Sequence, residues 1–163
     1  MLPNSKDRIT NYKYEFLGIG NPLLRSSKEV ASIKDTEILI RGKITDDISK
    51  IPELPETEIE LRKFLDEFKN NGFLLVGKNA TKESLLDQRF SDFRIVNFAT
   101  HGVLTSDIKG ISSPSLLLTR TESDNGLLSI GDILSMNGVP GITILSACNT
   151  GSSDLFIKDT DIT

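Results

Sequence analysis

One cysteine, one histidine and no tryptophan occur among the 163 residues. A lone cysteine excludes an intrachain disulfide. With one histidine it also falls short of a structural zinc set, unless carboxylates or a second chain contribute. No metal or cofactor is expected. Long hydrophobic runs are missing as well: none approaches the roughly 20 residues of a membrane-spanning helix, and the N-terminal MLPNSKDRIT has no apolar signal-peptide core. These absences predict a cytoplasmic chain without a membrane partner. Blocks of Lys or Arg are absent too, and 19 basic against 23 acidic residues leave a net charge of -4, so nothing marks a nucleic-acid partner. The single thiol is left free for chemistry or for packing.

What is present describes an ordinary folded chain. A hydrophobic fraction of 37% against 26% charged residues fits one soluble domain over residues 1–163, a length that can bury a real core. Residues 14–19 (YEFLGI) read as a buried strand that Gly20, Asn21 and Pro22 bring to an end. Residues 26–55 are polar and loosely patterned, with one short candidate strand at 37–40. Thr57 and Glu60 form a capping-box pattern ahead of Leu61, Phe64, Leu65 and Phe68, whose spacing predicts the best helix in the chain.

A short strand follows at 73–76, and Thr81 caps a short helix carrying Leu85 and Leu86. Residues 93–99 (FRIVNFA) are apolar enough to be covered on both faces, as in a parallel sheet. Residues 115–119 give another strand, Ser129 and Asp132 start a helix reaching Met136, and 141–146 (GITILS) read as a final buried strand. The alternation predicts an α/β fold with a mostly parallel sheet flanked by helices.

In such sheets sites form at the carboxyl ends of strands. His101 follows the strand 93–99 and Cys148 follows the strand 141–146, 47 residues further on; side-by-side strands would make them neighbours. A thiol with an ordinary pKa of about 8.5 is weakly ionised at neutral pH and needs a base, which His101 can be. The oxyanion formed by attack on a carbonyl needs donors, and the backbone N–H groups of Gly102 and Cys148 are the candidates. Each residue also has a plainer reading. A free cysteine is often a small core side chain, a histidine after a strand is often only hydrogen-bonded, and flanking glycines often only mark turns. The joint placement of the only His and the only Cys at equivalent strand ends favours the catalytic one.

FATHG (98–102) and LSACNTG (145–151) resemble the two signature motifs of the CHAT domain, a family placed with the caspase-like and separase-like cysteine peptidases. FLGIGNP (16–22), LPETEIE (54–60) and NATKESL (79–85) match its further marks in order, so the resemblance covers most of the chain. It implies a caspase-like α/β fold and an endopeptidase with His101 and Cys148 as its catalytic dyad. Its substrate would be a protein or peptide, and TPR-containing regions or proteins are implied as further partners in bacterial settings of conflict or regulated proteolysis. The family pattern continues beyond its Cys motif with a helix and a strand, so residues 1–163 are expected to be a C-terminally incomplete domain.

Three rival readings remain. A catalytically silent or truncated CHAT domain acting as a protein-interaction module needs no change in the dyad. A glutamine amidotransferase normally places its His after its Cys, the reverse of the order here. A phosphate-binding role for Gly18-Ile19-Gly20 lacks a third glycine and a helix start, and a turn explains the pattern. The acidic residues Asp107, Asp124 and Asp154 are read as loop solubility residues, with recognition of a basic substrate side chain as the alternative.

Overall fold

Consecutive apolar residues at 16–19 build the strand from which the sheet grows in both directions. The computed structural model describes residues 11–25, 48, 51–105 and 112–146. The candidate strand at 37–40, Asp107, Cys148 and Asp154 lie outside the described residues. The central strand β1 (Tyr14–Pro22) is flanked by β2 (Gly72–Gly77) and β3 (Phe93–Ala99), and β7 (Ile142–Leu145) pairs with the far side of β3. The order is β2-β1-β3-β7 and every pairing is parallel. A mostly parallel α/β sheet is therefore what the chain forms, consistent with a caspase-like fold.

One face of this sheet is covered by helix α1 (Pro55–Glu67), whose fully buried Leu61 meets Phe16 and Ala99. Leu65 and Phe68 pack on the same cluster, and Phe64 and Phe68 stack on Phe16. The opposite face carries Leu17, Ile19, Val96 and Phe98. Against them lie Leu85 of the short helix α2 (Lys82–Leu86), Phe90 of a 3-10 turn, Leu118 and Leu128. Alternation along each strand sends its two apolar sets to the two covered faces, as the near-continuous patterns require.

The remaining elements form a second, smaller sheet. Strands β4 (Gly102–Val103), β5 (Ser115–Leu117) and β6 (Leu127–Ser129) pair antiparallel in sequence order, and helix α3 (Ile130–Leu134) follows. Ser129 and Asp132 form the expected capping box, although the helix ends before Met136. Thr81 caps α2 as its position predicts, accepting a hydrogen bond from the Ser84 N–H.

Several expectations are corrected. β1 does not stop at Gly20: a bulge with Asn21 in the left-handed region (φ 44°) carries pairing on to Pro22. Gly18 and Gly20 lie in this strand rather than in a turn, because α1 approaches it closely. A Cβ on Gly20 would stand 2.7 Å from Leu61 Cδ1 and 2.9 Å from the Ala99 carbonyl oxygen. α1 begins at Pro55 with Leu54 as its cap, and Thr57 instead donates to the Leu54 carbonyl at 2.7 Å and accepts from the Asn21 N–H at 2.9 Å. β7 is not buried. Ile142 and Leu145 are 52% and 63% exposed, and among the described residues no strand pairs with its outer edge.

Candidate active site

The strand order reverses direction about β1, since β2 lies on one side and β3 on the other, and open sheets hold their crevices beyond the carboxyl ends at such a point. The chain leaving β3 there reaches Thr100 and His101, both buried. Thr100 Oγ1 donates to the Leu117 carbonyl at 2.6 Å, and the Leu117 N–H donates to the His101 carbonyl at 2.9 Å. The backbone of His101 is thus fixed to β5. Its ring is fixed from the opposite direction.

Nε2 of His101 lies 2.8 Å from the carbonyl oxygen of Pro52. A carbonyl only accepts, so Nε2 carries the hydrogen. In the neutral imidazole this leaves Nδ1 as the lone-pair nitrogen. Burial pushes the pKa of His101 below its ordinary 6.5, opposed by the Pro52 carbonyl and by the nearby charge of Glu56, both of which favour the cation. His101 is consequently a neutral, oriented imidazole at neutral pH.

The segment that offers this carbonyl is held at both ends. Ile51, 4% exposed, sits in a cluster with Leu24, Val103 and Leu117. Leu54 accepts from both the N–H and the hydroxyl of Thr57. Pro52 and Pro55 restrict the backbone between them. Neither the Pro52 carbonyl nor Glu56 was expected from the sequence. A backbone carbonyl has no residue type to betray it, and the only signal was the pair of prolines ahead of the best helix.

The strand ladder also sets the direction of the Gly102 N–H. His101 and Leu117 exchange a backbone bond, and hydrogen-bonded and non-hydrogen-bonded positions alternate in an antiparallel ladder. Gly102 therefore falls at the position whose N–H points away from β5. Beside it, an apolar groove is lined by Gly102, Val103, Leu116, Ile133 and Leu145, between the small sheet with α3 and the end of β7.

The pairing of β3 with β7, on which nearness of His101 and Cys148 depends, is present. Its register runs from Ile95↔Ile142 to Phe98↔Leu145, and the Ser146 N–H extends it by donating to the Phe98 carbonyl at 2.8 Å. Asp124 serves the structure of its own loop, where its carboxylate accepts from the Gly126 N–H at 2.8 Å and meets Lys82 Nζ at 3.1 Å. Lys82 also reaches Asp132 at 3.6 Å, so this ion pair ties the turn at 121–126 to both α2 and α3.

No helix among the described residues is long and apolar enough to cross a membrane. Neither a curated protein nor a solved structure matches the chain. The family model described as the CHAT domain matches residues 2–161, nearly the whole length. With the parallel sheet and the buried histidine at its carboxyl edge, this match means that the chain belongs to the CHAT domain family, which is related to the caspase-like peptidases.

Proposed function

We propose that the chain is a cysteine endopeptidase of the caspase-like type, with Cys148 as nucleophile and His101 as base. The observation that carries this reading is the register of β3 and β7. Residue 95 pairs with 142 and residue 98 with 145, an offset of 47, and the same 47 residues separate His101 from Cys148. In sequence, the two chemistry-bearing residues follow two neighbouring parallel strands with the same offset as the strand register.

The reaction follows from the tautomer. Nδ1 of His101 takes the thiol proton of Cys148 as sulfur attacks the carbonyl carbon of the scissile peptide, and the carbonyl electron pair moves to oxygen. The N–H groups of Gly102 and Cys148 stabilise that oxyanion. As the oxyanion collapses, the C–N bond breaks and the imidazolium gives its proton to the leaving amine, leaving a thioester. Water then attacks the thioester with His101 again accepting a proton, the C–S bond breaks, and the proton returns to sulfur as the carboxylic acid product departs. The apolar groove lined by Gly102 and Leu145 offers an apolar surface for a peptide side chain.

A second reading, a protein-interaction module without turnover, draws support from the open β7 edge, where Val139, Ile142 and Leu145 are exposed. A library of peptidyl electrophiles separates the two. Covalent adducts read by mass spectrometry are expected on Cys148, absent in Cys148→Ala and strongly slowed in His101→Gln. If no peptidyl electrophile labels Cys148 faster than it labels a small-molecule thiol, the peptidase reading fails and the interaction module stands.

A further inference from the structure

The ring of His101 is oriented by the Pro52 carbonyl, and the side chain one residue earlier is buried. Ile51 is 4% exposed and buries itself against Leu24, Val103 and Leu117. Two of these contacts adjoin the histidine directly: Val103 stands two residues after His101, and the Leu117 N–H donates to the His101 carbonyl. The residue immediately after Ile51 places its oxygen 2.8 Å from Nε2. One apolar cluster therefore joins the backbone that carries His101 to the segment that orients its ring.

We infer that Ile51 is a positioning residue, whose burial in the Leu24–Val103–Leu117 cluster sets the Pro52 carbonyl under His101 and so selects the Nε2–H tautomer. Nothing else supplies this anchor from the N-terminal side of Pro52 among the described residues, apart from Ile48, which packs on the same cluster and accepts the Ile51 N–H at 3.1 Å. The proline has no N–H of its own with which to hold the segment. Truncating Ile51 frees the carbonyl to move, and a base that loses its orienting partner samples the wrong tautomer as well as the wrong angle. The consequence for catalysis rests on the dyad proposed above; the consequence for the imidazole does not.

The single histidine and single cysteine make the test unambiguous in the full chain. Nitrogen-15 NMR of the imidazole reports the tautomer, and iodoacetamide alkylation reports the reactivity of Cys148. The wild-type chain is expected to show the neutral ring almost wholly as Nε2–H, beyond the preference that a free histidine already has. Ile51→Ala should relax the ring towards the mixture of a free histidine, in which Nε2–H is favoured but Nδ1–H is also present, and slow alkylation by about 10- to 100-fold, the scale of a misplaced catalytic group. Ile51→Val, which keeps an apolar β-branched anchor, should restore both. Should the alanine variant fail to fold, Ile51→Thr, matched in shape to valine, takes its place. A folded variant that keeps the wild-type tautomer ratio overturns the inference, as does a wild-type ring whose Nε2–H share is no greater than that of a free histidine. A tautomer that shifts while alkylation stays unchanged upholds the positioning role and refutes the dyad instead.

Discussion

Burial works against the charged form of His101, and this has a consequence for the stability of the whole chain. Its folded pKa lies below the ordinary 6.5 of an unfolded histidine, so below that value the unfolded state binds the proton first. The stability contributed by the neutral ring is complete above about pH 6.5 and is lost as pH falls through the folded pKa. Glu58 and Asp132 are also lowered, Glu58 by hydrogen bonds from Asn21 and Arg62 and Asp132 mainly by Ser129. Their losses come at lower pH, beneath their ordinary 4.5 and 3.8. Urea unfolding of the wild type minus that of His101→Gln should therefore show a decline beginning below pH 6.5, before the carboxylates titrate. A flat difference across that window would mean that His101 is not buried in its neutral form. The identity of this histidine was legible from its place after a strand, while its partner was not, because Pro52 contributes only backbone.

Among the elements, α1 shows how a strand and a helix constrain each other. Its periodic Leu61, Leu65 and Phe68 are readable as one face, yet its start differs from the predicted one because Thr57 resembles a cap while serving to tie Leu54 to Asn21. The seat beneath it depends on Gly20. A methyl group there meets the Leu61 side chain, which can yield, and the Ala99 carbonyl at 2.9 Å, which cannot without moving β3. Gly20→Ala should destabilise the chain by about 1–3 kcal/mol, the usual cost of overpacking, measured by chemical denaturation. It should also slow Cys148 alkylation more than Gly77→Ala does, since Ala99 lies two residues before His101, whereas Gly77→Ala strains only its own backbone (φ 55°) and its Cβ meets nothing within 4 Å. Equal effects of the two variants on alkylation would separate the seat of α1 from the site.

At the scale of the whole molecule, the sheet ends in a strand whose outer edge is open among the described residues, flanked by exposed Val139, Ile142 and Leu145. Such an edge recruits other chains, and a charge placed on it blocks pairing. Ile142→Lys should reduce self-association in sedimentation velocity while leaving the far-ultraviolet circular dichroism unchanged; undiminished association would place the contact elsewhere. The sequence by itself determined the strands of the parallel sheet, the face of α1, and the two residues fit for thiol chemistry. Those follow from local periodicity and from residue types that occur once. Only the tertiary structure decided that β3 and β7 are neighbours, because β4, β5 and β6 form a separate antiparallel sheet instead of inserting a strand between them. It also decided which atom orients His101, since a backbone carbonyl has no signature in sequence and acquires its role only when Ile51 is buried beside Val103 and Leu117.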